Sequence, residues 1–378
     1  MAAMSGPDGE SAHPLPRLLF VGGAPMRLTE AAVLWHDHWC ETVPSWFERV
    51  ALQGDDVTDG DLTLDRAEVE AFVQQVADFD IICCESPEAL VLHAELSRRG
   101  QRPPPLIALE VHGFDRVRLA ARALYGDDGA DACTQLLGSE RVTWLAASDA
   151  GQRGLVGAGV EPARIRRLNA SVFIYEVMLP DAKERLTSAC TLDAELMPSV
   201  APGAVVVPGT GRRDPATWLS AAALLPNIPF VSIGEPAAQV EQSLEALGLP
   251  MLPNLQVLPY VALEEYIALL RRARLCVVCV RDGGGDGGHT TVALAHALET
   301  PVIATRVPGV IDYVVDDHTA RVVPPADPRA LATGIRWLWE DRSACARLTR
   351  GGLEAEGRRR AISERGVLDM LHALGALR

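Results

Sequence analysis

The densest chemistry in the chain lies in LCVVCVRDGGGDGGHTTVALAHALETPVIAT, residues 275–305. An apolar run gives way to five glycines and two aspartates, and Gly287, Gly288, His289, Thr290 and Thr291 then open a helical pattern. Glycine lets the backbone come close to a ligand and reach positive φ. The first turn of a helix carries unsatisfied N–H groups and a partial positive charge. Together these suit an anion, phosphate above all, with the Thr290 and Thr291 hydroxyls as further donors. The plain alternative is a flexible turn in which a threonine caps the helix. No G-K-[ST] follows, so this is not a Walker loop, and Gly22-Gly23 near the N-terminus lacks the third glycine of a nicotinamide fingerprint. Asp282 and Asp286 could be read as metal ligands, but no His or third carboxylate stands at ligand spacing, and turn solvation is the simpler account.

Other residues invite a chemical reading. Arg212 and Arg213, in GTGRRDPATW, could grip phosphate through their forked guanidinium groups, or be two solvated loop residues. His112-Gly113 ends an apolar run, where a histidine can either meet a ligand or cap a loop. His36, Asp37 and His38 sit between Trp35 and Trp39. Histidines at i and i+2 share no helix face, so a packed surface helix, with ligand contact as the functional option, is expected over a metal site. Cys276 and Cys279 have C-x-x-C spacing, yet LCVVCV reads as a buried strand, which makes them inert core thiols of a reducing cytoplasm.

These groups must be positioned by something, and the chain supplies a regular alternation of short β-rich runs with longer helical ones. Strands are expected at 17–21, 80–84, 106–111, 142–146 and 165–168, with helices at 66–77 and 150–157 and a stop at GAGV. Weak periodicity from about 179 to 202, ending in PSVAPG, suits a linker. The alternation then restarts, with strands at 204–207, 230–233, 256–258, 275–280, 302–305 and 320–323. Helices are expected at 216–225, 237–247, 263–273, 290–298 and 328–339. This is the signature of parallel sheets with crossover helices, and in such sheets ligands sit outside the carboxyl ends of the strands.

Composition agrees. A chain of 378 residues, 48% hydrophobic, is long enough for two cores. Lys and Arg number 35 against 50 Asp and Glu, and a net charge of -15 repels a nucleic-acid backbone. No apolar run is long enough to span a membrane, and residues 1–15 lack a signal-peptide pattern and read as disordered. A cytoplasmic protein is expected.

Five further segments form an ordered series: LIALEVHG, RVTWLAASDAGQRGLVGAGVEPARIRRLNASV, ALLPNIPFVSIG, NLQVLPYVALEEYIALLRRARLCVVCV, and PVIATRVPGVIDYVVDDHTARVVPPADPRALATGI. In this order they resemble the family 4 glycosyltransferases of GT-B architecture, also described as glycosyl transferases group 1. The resemblance implies an α/β fold of two Rossmann-like domains whose parallel sheets face an interdomain cleft. Residues 16–180 would form the acceptor-side domain, 181–203 the linker and 204–360 the nucleotide-sugar domain. Residues 361–378 would form a helix returning toward the first domain.

It also implies a retaining transfer from a nucleoside-diphosphate sugar, without metal or cofactor. The acidic balance and the lack of a basic amphipathic segment point to a soluble acceptor, such as a natural product or other small molecule, over a lipid one. His112 and Asp286 would act beside the transferred sugar. Gly22, Gly23, Arg212, Arg213, Tyr260, Gly287, Gly288, His289, Thr290 and Thr291 would bind the donor. Arg213 takes the place of the family's lysine, and Pro208 that of its upstream arginine. Of the family's two glutamates, the first is shortened to Asp286 and the second, which holds the ribose, is Leu294. Two alternatives stay open: a catalytically inactive GT-B-like binding or partner protein, and another sugar-nucleotide enzyme such as an epimerase or phosphorylase. Oligomeric state, a homodimer included, is open as well.

Overall fold

In the computed structural model, the described residues are 18–21, 40–43, 81–84, 93–94, 96–97, 99–102, 105–109, 122, 126–169, 200, 203–209, 213–261, 263–282 and 287–373. They form two all-parallel sheets of six strands each. The first contains β1 (Leu18–Val21), β2 (Cys40–Val43), β3 (Ile81–Cys84), β4 (Leu106–Leu109), β5 (Val142–Ala146) and β6 (Ile165–Arg167), in the order β2-β1-β3-β4-β5-β6. Helices α1 (Asp127–Leu136) and α2 (Asp149–Ala158) flank β5 in sequence. Strand β2 was not anticipated. The tryptophans just before it suggest a packed helix, and His36, Asp37 and His38 lie outside the described residues, as do 1–15 and the expected helix at 66–77.

The second sheet contains β7 (Val205–Pro208), β8 (Phe230–Ile233), β9 (Leu255–Leu258), β10 (Leu275–Val278), β11 (Val302–Thr305) and β12 (Arg321–Val323). Its helices are α3 (Pro215–Ala223), α4 (Ala237–Ala246), α5 (Leu263–Arg272), α6 (His289–Ala297) and α7 (Pro328–Glu340), and a 32-residue helix, α8 (Arg342–Ala373), closes the described chain. Strand β10 explains the architecture. Every residue from Leu275 to Val280 is fully buried, as a strand covered on both faces requires. Side chains alternate across a sheet. Cys276, Val278 and Val280 accordingly pack into one core with Ile267, Leu270, Val292 and Leu294. Leu275, Val277 and Cys279 pack into the other with Trp218, Leu219, Leu331 and Ile335. Cys276 and Cys279, three apart in an extended run, therefore belong to opposite faces and cannot meet as a redox pair. Burial pushes the Cys276 thiol up to about 12, and raises Cys279 as well.

Strand order locates the site. In the second sheet, β12-β11-β10-β7-β8-β9, the chain begins at β7, works outward through β8 and β9, then returns to β7's other side with β10. Connections after β7 and β10 depart to opposite sides, and the carboxyl ends of these two neighbours open a crevice. Residues 209 and 213–214 follow β7, and residues 279–282 and 287–288 follow β10, so Arg213 and the Gly287-Gly288 pair converge there. In the first sheet the same reversal falls between β1 and β3. Gly22 and Gly23, which follow β1, lie outside the described residues.

Candidate functional site

Arg213 sits at the centre of the crevice. Its backbone bridges Val280 in an isolated antiparallel pair, and Asp214 N–H donates to the Cys279 carbonyl at 3.0 Å. Asp214 caps α3, accepting from the Thr217 N–H and hydroxyl at 3.0 and 2.6 Å. These bonds fix the backbone and turn the Arg213 side chain back under the end of β7. Its Nε donates to the Pro208 carbonyl at 2.8 Å and its Nη2 to the Thr291 hydroxyl at 3.2 Å. The guanidinium also passes so close to Gly209 (φ 109) that a β-carbon there would overlap it.

Helix α6 begins against this group. Gly288, its N-cap, has φ 86, and no side chain caps the helix. A β-carbon at Gly288 would lie 2.6 Å from Val278 Cγ1 and 3.3 Å from Arg213 Nη1, so only glycine fits both the left-handed backbone and the space. Gly287, Gly288 and His289 are buried and Thr290 is half-buried. The His289 ring stacks on Tyr313, with ring centres 5.5 Å apart.

The electrostatics follow from burial. Arg213 is 8% exposed. Burial presses its pKa down, while the potential anions Tyr266, Cys276, Cys279 and Glu235 press it up. A guanidinium stays protonated in proteins, so the cost of burial is a standing attraction for an anion rather than loss of the proton. Among the described residues no carboxylate lies within ion-pair distance of it. Glu235, just beyond β8, is 6% exposed, and its Oε2 has no hydrogen-bond partner. Burial raises its pKa by more than the Arg213 charge lowers it.

Of the residues singled out from sequence, Arg213, Gly287, Gly288, His289, Thr290 and Thr291 converge at the start of α6. Tyr260 stands apart beyond β9, with 73% of its surface exposed. His112, Asp286, Gly22, Gly23 and Arg212 lie outside the described residues. Leu294 is fully buried in the core. Glu235 was missed. The signal available was an acidic residue placed directly after a buried strand, in FVSIGEP. Among the described residues no cluster of three or more His, Cys, Asp or Glu could hold a metal ion, and no helix is long and apolar enough to cross a membrane. A shallow groove lined by Arg274, Trp337 and Trp339 lies toward the amino ends of β7 and β10, the opposite end from Arg213.

Comparison with known proteins agrees with this geometry. Residues 211–341, which carry Arg213 and α6, match the family described as Glycosyl transferases group 1. The fold matches Anabaena Alr3699/HepE, solved in complex with UDP-glucose, with a TM-score of 0.68 at 15% identity, over 94% of this chain and 99% of that one. Sucrose-phosphate synthase from Thermosynechococcus elongatus gives 0.61 at 16% identity, over 95% and 99%. UDP-GlcNAc 2-epimerase from Neisseria meningitidis, bound to UDP-GlcNAc, gives 0.58 at 13%, over 93% and 100%. Among curated protein sequences there is no significant match. The fold is that of GT-B proteins. Within it, the segment that carries Arg213 and α6 is similar to the glycosyl transferases group 1.

Proposed function

We propose that the protein transfers a sugar from a nucleoside-diphosphate sugar, with retention and without a metal ion, to a soluble small-molecule acceptor. The observation that carries the reading is the buried Arg213 guanidinium held against an uncapped helix start at the sheet's reversal point. Breaking the bond between the sugar's anomeric carbon and the β-phosphate oxygen leaves extra negative charge on the diphosphate. Fixed N–H donors and a buried cation stabilise such charge without reorganising. Arg213, Thr290 and the first turn of α6 are the groups available for that task. Asp286 and His112 are assigned to the sugar by the family resemblance. Uridine nucleotides are the first donors to try, since HepE was solved with UDP-glucose and the Neisseria epimerase with UDP-GlcNAc.

A thermal-shift screen of nucleoside diphosphates and their sugars tests the reading, because a ligand that binds only the folded form raises the melting temperature. At least one is expected to do so, and its sugar to be transferred in EDTA with the anomeric configuration kept, as read by proton NMR. A panel in which none shifts the melting temperature refutes the donor site. Leu294, sealed in the core where the resemblance sets a ribose-holding glutamate, favours a second reading as a binding or partner protein; turnover of any sugar nucleotide eliminates it. A free epimerised sugar as the only product would point to epimerase chemistry instead.

A further inference from the structure

The carboxyl ends of β9, β8, β7 and β10 stand side by side, and each carries one distinctive group. Tyr260 follows β9, Glu235 follows β8, Gly209 and Arg213 follow β7, and Gly288 follows β10. Backbone bonds tie the first three ends together: Gly209 N–H donates to the Ile233 carbonyl at 3.0 Å, and Gly234 N–H to the Leu258 carbonyl at 3.1 Å. Adjacent strands are about 4.8 Å apart, so Glu235 lies one strand from the Arg213 loop and one from the Tyr260 loop. A nucleoside diphosphate has the same linear order: phosphates, then ribose, then base.

The chemistry of Glu235 agrees with its place in that order. An ionised carboxylate only accepts hydrogen bonds. Glu235 is 6% exposed, and its Oε2 accepts no hydrogen bond from the protein, whereas buried polar atoms are nearly always hydrogen-bonded. Whatever meets this oxygen must donate. A phosphate does not donate and is repelled by the like charge. A pair of hydroxyl groups fits. At the next strand end, beyond β9, Tyr260 offers an exposed ring on which a base can lie.

We propose that Glu235 is the ribose-reading residue of the donor site, accepting hydrogen bonds from the ribose hydroxyls of a nucleoside diphosphate whose phosphates lie at Arg213 and α6. The inference rests on the donor site proposed above and adds the residue that distinguishes ribose from deoxyribose. It gives this chain a ribose contact from the β8 loop, whereas Leu294 on α6 supplies no polar atom.

The test is calorimetry on the full chain with UDP, GDP and ADP, each beside its 2′-deoxy and 3′-deoxy counterparts. Wild type is expected to bind at least one ribonucleotide about tenfold or more tighter than a deoxy counterpart, the effect of one hydrogen bond to a charged group. Glu235→Ala is expected to bring that ratio to about one by weakening the ribonucleotide alone. Glu235→Gln, nearly the same shape, keeps the fold and is expected to retain an intermediate ratio. Discrimination as strong in Glu235→Ala as in wild type overturns the proposal. So does a wild type that does not discriminate, or a variant whose preference among bases changes while its ribose preference does not. If no nucleoside diphosphate binds wild type at all, the donor site itself falls, an outcome distinct from these.

Discussion

Replacing Arg213 by methionine separates two energies that pull in opposite directions. In the free protein the guanidinium is 8% exposed and makes two hydrogen bonds, to Pro208 and Thr291, with no carboxylate at ion-pair distance among the described residues. Burying a charge in this way costs several kcal/mol. Two charge-assisted hydrogen bonds return about 1.5–3 kcal/mol each. The terms nearly cancel, and methionine fills a similar volume without the charge. The unliganded variant is therefore expected to stay within about 2 kcal/mol of wild type, in either direction. Binding has no such compensation. A bound diphosphate loses its buried cation, a deficit of about 1.5–3 kcal/mol, which raises the Kd roughly 10- to 150-fold. Calorimetry with UDP and the melting temperature of the free protein, measured on the same preparation, read the two effects separately. Affinity within about twofold of wild type would remove Arg213 from the site. A large drop in stability with affinity intact would make it a structural pin for the β7 loop.

Gly288→Ala places a methyl group 2.6 Å from Val278 Cγ1 on a backbone at φ 86, and is expected to cost about 2 kcal/mol or more in denaturant titration; an unchanged midpoint refutes the assigned geometry. Glu299 holds φ 57 at the end of α6, so Glu299→Gly is expected to stabilise the protein by about 1 kcal/mol, and a lowered melting temperature refutes that. Burial, and then the Arg359 charge, hold His296 at about 3, below its ordinary 6.5. Because the folded value is depressed, its contribution to stability is full above 6.5 and is lost as the pH falls toward 3, by up to about 1.4 kcal/mol per pH unit. Denaturant titrations across that window are expected to show the slope in wild type and a shallower one in His296→Leu; equal slopes refute the assignment.

Much of the second sheet was legible because its strands are buried on both faces and its helices on one. Periodicity alone placed 230–233 and 302–305 at their observed limits, and the start of α6 within one residue. The C-x-x-C pair shows the same logic, since a period of two sends positions three apart to opposite faces. Strand β2 was hidden because CETV is short and polar, at the edge of its sheet, and follows a run of large aromatic residues that favours no one period. In the site, the α6 glycines were legible from local chemistry, and Arg213 through the family resemblance. Glu235 was not, because its meaning depends on which strand ends are neighbours, and strand order is a long-range property that no local window contains. The same holds for the polar network around His296. Its Nδ1 accepts from Arg359 at 2.9 Å, and Arg359 in turn bonds Glu356 and the Tyr313 carbonyl, joining residues more than sixty positions apart.

Helix α8 acts as a beam. Thirty-two residues at about 1.5 Å each give it a length near 48 Å. Ser363, toward its far end, donates to the Asn169 carbonyl at 2.7 Å, just past the last strand of the first sheet. Nearby, the Tyr313 hydroxyl donates to the Ala147 carbonyl at 2.7 Å, and Asp312 accepts from the Asp149 N–H at 2.6 Å while facing Arg167 at 3.6 Å. On the first-sheet side, all of these fasteners fall just beyond or beside β5 and β6. A displacement of one sheet past the other would have to break these bonds together. Tyr313 joins them to the candidate site, because its ring also lies against His289 at the start of α6.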